Sequence, residues 1–189
     1  MRTDAAGQSA LLMLDVAETL VSANIDYAVV GAMAAAVYGM VRASLDADAI
    51  ISATVQRSRT LRRTLEDAGF EARLRIGDHD DPIAALLAVS DSFGNRVDLL
   101  IGLRGFDSAA FSRTQEVPFC DATLRFIGRE DFIAMKVYAG SPQDLADAQA
   151  AIALDREALD LDLVRALARG YGKDAAATLD RLFEDPDAP

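Results

Sequence analysis

The chain has 189 residues, 51% of them hydrophobic but only 6% aromatic, so its core must be built from Ala, Leu, Val and Ile. That length suits one substantial domain, or a domain with a small helical appendage. A net charge of −11 makes the chain a poor general binder of nucleic acid, because most of that affinity comes from Lys and Arg against phosphate.

No stretch reaches the roughly 18 uninterrupted apolar residues of a membrane span. One cysteine, Cys120, excludes an intramolecular disulfide and reads as an inert, partly buried thiol. One histidine, His79, argues against a histidine-based zinc site and reads as a loop residue. The opening MRTDAAGQ carries an acidic residue and no apolar block after it, so no secretory signal is expected and the expected location is the cytoplasm. Charge is uneven: Arg57, Arg59, Arg62 and Arg63 cluster, Arg73 and Arg75 follow, and the acidic excess comes mainly after Asp144. The arginine cluster reads first as a solvated helix face and second as a local RNA patch.

In chain order, residues 9–23 read as an amphipathic helix with Leu11, Leu12, Leu14, Val16, Leu20 and Val21 on its apolar side. Residues 27–30 form an apolar strand that breaks at Gly31, where a short alanine-rich helix begins. A second strand opens with Asp46-Ala47-Asp48 and continues as Ala49-Ile50-Ile51. A helix over 58–68 stops at Gly69, and 70–76 alternates as a strand. The polar loop 77–82 is a candidate neighbour of the site. Residues 83–89 and 96–101 flank Ser92-Phe93-Gly94-Asn95 as a hairpin, and 106–113 reads as a short helix. Residues 117–126 are irregular or a pair of short edge strands. Helices are expected over 129–138, 143–154, 161–169 and 173–183, with a tail at 184–189. A soft boundary near residue 128 separates a core (1–128) from a C-terminal helical part (129–189).

Side chains alternate along a strand, so Asp46 and Asp48 share one face and Ala47 takes the other. Two carboxylates together at the start of an apolar strand repel each other and resist burial, and a divalent cation removes both problems. Asp98 is a third carboxylate, inside the otherwise apolar Arg96-Val97-Asp98-Leu99-Leu100-Ile101, where a lone charge is costly unless paired or metal-bound.

Three carboxylates on neighbouring strands after a glycine at a strand-to-helix turn resemble the nucleotidyltransferase fold of DNA polymerase beta-like enzymes. Val30-Gly31-Ala32-Met33-Ala34, Gly39, Arg42-Ala43-Ser44, Asp46-Ala47-Asp48, Asp98, Asp131 to Lys136 and Gln143-Asp144-Leu145-Ala146-Asp147 are similar to the bacterial AbiEii-type nucleotidyltransferases, over about residues 10–155. The resemblance implies an α/β (α+β) fold, a mixed sheet flanked by helices. It implies nucleoside monophosphate transfer from an NTP to a hydroxyl, with Mg²⁺, one ion or two, held by Asp46, Asp48 and Asp98, and Asp98 as proton acceptor. Gly31, Ala32, Arg42, Ser44, Lys136 and Asp144 are the implied nucleotide-binding residues. The acceptor is a small molecule, a tRNA end or a protein side chain. The acidic balance favours a cationic small acceptor over a broad nucleic-acid surface. A toxin–antitoxin or phage-defence setting, with a cognate antitoxin as partner, is also implied. The family usually has Gly-Ser or Gly-Gly where this chain has Gly31-Ala32.

Competing readings remain. The protein could be a non-catalytic member of the fold, a nucleotide sensor or a protein-binding partner, or an α/β domain whose acids are only structural. Lys136 reads equally as a surface lysine, Arg42 as a structural partner of Asp46 or Asp48, and Asp144 and Asp147 as residues favoured by a helix dipole.

Overall fold

The sheet buries an apolar face against helices, and the two strands that carry the candidate site turn carboxylates to the opposite face. The computed structural model describes residues 1–184, so the final five residues of the expected tail lie outside the described ones. The elements run α1 (Ser9–Ser22), β1 (Tyr27–Val30), α2 (Gly31–Val37), β2 (Asp46–Ile51), α3 (Val55–Asp67), β3 (Glu71–Ile76), β4 (Ile83–Ser90), β5 (Arg96–Leu103), a 3₁₀ turn (Ser108–Ser112), β6 (Gln115–Phe119), β7 (Ala122–Phe126), α4 (Arg129–Ala139), α5 (Pro142–Leu154), α6 (Leu161–Tyr171) and α7 (Lys173–Glu184). The mixed α/β class expected from the sequence holds, with seven strands in the order β3-β4-β5-β2-β1-β7-β6. β1 pairs antiparallel with β2, β2 parallel with β5, and β5, β4 and β3 antiparallel in turn. β7 joins β1 in parallel through Val29 and Phe126, and β6 closes the sheet as an edge.

α1 and α3 pack on one side of the sheet, where Ala47, Ala49, Leu87, Val89, Val97 and Leu99 are essentially inaccessible. On α1, Leu12, Leu14, Val16 and Leu20 are buried as the pattern predicts, but Val21 is exposed because the turn ends there and its side chain faces away from the sheet. α3 begins three residues earlier than expected, since the Thr54 hydroxyl accepts the Arg57 N–H and caps the helix. The region 117–126 resolves into a true hairpin. Its second strand lies inside the sheet beside β1, so only the first is an edge. Cys120 sits at the hairpin turn with φ 54° and is exposed, which corrects the expectation of partial burial.

The C-terminal helices pack on one another around α4, and Tyr38 at the end of α2 packs against α4. The Tyr38 hydroxyl donates to the Ile127 carbonyl at 2.5 Å while its ring lies 5.1 Å from that of Phe132. Gly140, at φ 70°, ends α4 in the left-handed conformation that glycine adopts without cost, and Ser141 caps α5 just before Pro142.

Candidate active site

β2 enters the sheet from an exposed loop, and its alternation decides which side each residue serves. Ala47 and Ala49 are buried beneath α1, while Asp46 and Asp48 point to the other face, as their spacing requires. β5 runs parallel beside β2 with Asp48 level with Asp98 and Asp46 level with Arg96. Three carboxylates from two strands therefore share one sheet face. Asp48 is the most constrained of them. Burial, followed by the charges of Asp46 and Asp98, pushes its carboxyl up to about 6.

Gly31 explains how Asp48 fits. Val30, the last residue of β1, pairs with Asp48, and the chain then turns into α2 with Gly31 at φ 61°. A Cβ at position 31 would overlap Asp48 Oδ2 and lie 2.9 Å from its Cγ. The glycine is required by the carboxylate behind it as well as by the backbone turn. Ala32 is buried at the start of α2.

Two neighbours act on the other carboxylates. Ser44 Oγ donates to Asp46 Oδ1 at 3.2 Å. Arg96 Nε and Nη2 donate to the two oxygens of Asp98 at 2.7 Å each, a fork that occupies both. Arg96 escaped the sequence reading, although its position two residues before Asp98 on the same strand face is the signal that finds it. Among the described residues no three carboxylate, histidine or cysteine groups converge as a ready-made metal ligand set. Asp46 and Asp48 nonetheless have the chemistry for a hard cation: oxygen donors, shared negative charge and partial burial. Asp98 joins them only by exchanging its Arg96 partner.

A second polar cluster joins the loop between α2 and β2 to the C-terminal helices. Lys136 is buried rather than a surface lysine, with its side chain 7% exposed. Its Nζ contacts Asp144 Oδ1 at 2.7 Å and Asp147 Oδ2 at 2.8 Å, and it stands over the Phe132 ring. Arg42 Nη1 donates to both oxygens of Asp147, at 2.6 and 2.8 Å. Arg42 is thus the partner of Asp147 and not of Asp46 or Asp48. Ser141 Oγ lies 2.5 Å from Asp144 Oδ2, and Gln143 donates to Asp147. Although burial works against them, these partners, Lys136 above all, hold both carboxyls below their ordinary range. The Lys136 charge also reaches Asp48 and tempers its rise. Asp147, fully inaccessible, is the hub of this cluster.

The loop 77–82 is not a neighbour of the site. It joins the ends of β3 and β4 beside Leu103, the far end of β5 from Asp98, and Arg104 donates to its carbonyls at His79 and Asp81. His79 is fully exposed there. Another unforeseen pair is the fork of Arg113 on buried Asp131, at 2.6 and 2.8 Å, which ties the chain before β6 to the start of α4.

No family model matches the sequence, and no curated protein matches it. Solved structures do resemble it. An antigenic nucleotidyltransferase-like protein from Paracoccidioides brasiliensis superposes with a TM-score of 0.56 at 16% identity, over 98% of this chain and 92% of that one. ANT(2'')-Ia, in complex with adenylyl-2''-tobramycin, gives 0.57 at 14% identity over 90% and 97%. The lincosamide antibiotic adenylyltransferase LnuA, bound to lincomycin, gives 0.50 at 12% identity over 80% and 99%. Likeness at these identities establishes a nucleotidyltransferase-like fold.

Proposed function

We propose that this protein is a Mg²⁺-dependent nucleotidyltransferase that moves a nucleoside monophosphate from an NTP to a hydroxyl of an acceptor. The observation that carries the reading is the row of Asp48 and Asp98 on one open sheet face, level with each other, with Asp46 one step along and Gly31 cut back to admit Asp48. Such charge density next to the core is unfavourable by itself, and a cationic ligand would relieve it, which supports the reading.

In the reaction the acceptor hydroxyl oxygen bonds to the α-phosphorus of the NTP, the bond from that phosphorus to the bridging oxygen breaks, and pyrophosphate leaves. Asp46 and Asp48 would hold the cation, with Ser44 orienting Asp46. The cation, when bound, supplies charge stabilisation to the triphosphate and the departing pyrophosphate. Asp98, released from Arg96, takes the hydroxyl proton. Gly31 and Ala32 border the triphosphate at the β1–α2 turn. Lys136, Asp144 and Arg42 form the wall that positions the nucleotide, and the likeness to AbiEii-type toxins, with a cognate antitoxin, belongs to this same proposal. Antibiotic-modifying neighbours support a hydroxyl acceptor in general.

The fork of Arg96 on Asp98 favours a second reading, a nucleotide-sensing member of the fold without turnover, because it ties up the proton acceptor. Thermal stability with each of four NTPs, with and without Mg²⁺, tests both. Saturation at one hundred times Kd adds roughly 2.7 kcal/mol. A Mg²⁺-dependent shift that disappears in Asp46→Asn/Asp48→Asn, together with pyrophosphate release, supports the enzyme. A shift without release supports the sensor.

A further inference from the structure

The helices leave one side of half the sheet bare. α1 and α3 cover the face bearing Leu87, Val89, Val97 and Leu99, whereas Leu86, Ala88, Ser90 and Leu100 on the opposite face are all part-exposed. That bare face is the one carrying Asp46, Asp48 and Asp98. The register places its residues in rows across four strands. Asp48, Asp98, Ala88 and Arg73 form one row, and Ile50, Leu100, Leu86 and Arg75 form the next. A groove of about 400 Å³ lies along them, bounded by Arg73, Arg75, Leu86, Ala88, Ser90 and Arg96.

We propose that this groove is the acceptor subsite and that it takes an acceptor carrying phosphate; the inference rests on the nucleotidyl-transfer reading. Small residues at Ala88 and Ser90 let a ligand lie close to the sheet, and the groove ends at Arg96, which forks onto Asp98, with Ala88 paired beside that carboxylate. Its outer end is cationic. Arg75 has no side-chain partner among the described residues, and Arg73 has only a 3.6 Å contact with exposed Glu71. Both guanidinium groups are therefore free to fork onto a phosphate. With strands about 4.8 Å apart, Arg73 stands about 10 Å from Asp98, which sets the reach between the phosphate and the reacting hydroxyl. Behind the same edge strand, Arg59, Arg62 and Arg63 of α3 line a second groove with Arg73. Positive charge gathers around this one edge of a chain whose net charge is −11. This local geometry sets a phosphate-bearing acceptor against the cationic small acceptor expected from overall charge, and the experiment decides between them.

The test uses the full chain, with Arg73→Ser/Arg75→Ser and the charge-retaining Arg73→Lys/Arg75→Lys. Probes are a labelled single-stranded RNA oligonucleotide with a free 3′ hydroxyl, ribose 5-phosphate, and tobramycin as a cationic comparison. Binding is read by anisotropy or calorimetry, and transfer by incorporation of labelled nucleotide. The expected result is that one phosphate-bearing probe binds and that the serine variant loses about tenfold or more, the worth of a charge-assisted hydrogen bond. The lysine variant recovers part of the loss, the affinity falls with added salt, and Mg²⁺–NTP stabilisation is unchanged. The two phosphate probes distinguish a nucleic-acid strand from a sugar phosphate. Binding of phosphate probes that ignores both variants, or transfer to tobramycin alone, overturns the subsite. Loss of probe binding in the serine variant of a protein that shows no NTP response leaves the anion site standing and removes the transfer reading.

Discussion

Asp144 and Asp147 share two cations, Lys136 and Arg42, at 2.6 to 2.8 Å, whereas Asp46, Asp48 and Asp98 have one close partner among the basic side chains, Arg96. The first group is balanced and its carboxyls are held below the usual range; the second is not, and the Asp48 carboxyl rises to about 6. The difference separates a cluster that the fold needs from one that the fold tolerates. A balanced buried network is stable without a ligand, and under the proposed function it serves as a rigid wall beside the nucleotide. An unbalanced one on an open face is where the proposed function places its cation.

The largest expected effect lies on the unbalanced side. Asp46→Asn/Asp48→Asn should reduce nucleotidyl transfer on the order of a thousandfold or more, since a metal centre supplies several kcal/mol of transition-state stabilisation. Labelled-nucleotide incorporation measures it, and a variant that keeps most of its activity would break the comparison. Next comes the balanced cluster. Lys136→Met leaves Asp147 buried with fewer partners and should cost about 3 to 5 kcal/mol in denaturant unfolding at pH 7. A loss below 1 kcal/mol would show that the cluster is not structural.

The third prediction sets the two clusters against each other in pH. Asp48 has a folded pKa raised from 3.8, so its stabilising contribution is present at low pH and is lost as pH climbs through about 6. Asp144 and Asp147 have lowered folded values, so their contribution is present above the ordinary carboxylate range and is lost as pH falls through it. Without cation, Asp48→Asn should therefore be more stable than wild type by roughly 2 kcal/mol at pH 7.5, allowing for solvent access, and equal to it near pH 4. Thermal or urea unfolding across that range checks the sign; a variant less stable at pH 7.5 refutes it. The smallest effect on stability is expected for Gly31→Ala, about 1 kcal/mol from the left-handed backbone alone. Its sharper consequence is that the new Cβ displaces the Asp48 carboxylate, so Mg²⁺-dependent NTP stabilisation should weaken while the fold survives.

Much of this was visible in the one-dimensional pattern, for local reasons. The period-two alternation of Asp46-Ala47-Asp48 dictates that both acids face one way, and the apolar run after them dictates a strand. The hairpin at Ser92 to Asn95 follows from its turn chemistry: Asp91 Oδ1 accepts the N–H groups of Phe93 and Asn95. Helix ends at Gly69 and Gly140 follow in the same way.

Pairings between distant residues were not visible, because charge complementarity alone does not say which of 19 basic and 30 acidic residues meet. Arg42 lies four residues from Asp46 yet binds Asp147, 105 residues away, because α5 lies against the loop that follows α2. Lys136 is buried because α5 packs on α4 and brings Asp144 and Asp147 to it. Sequence by itself determined the strand and helix types, the shared face of Asp46 and Asp48, and the glycine turn before them, all set by neighbours a few residues apart. Tertiary structure alone decided that Asp98 stands level with Asp48 and that Arg73 and Arg75 end the same rows, since register between strands depends on how the whole sheet packs.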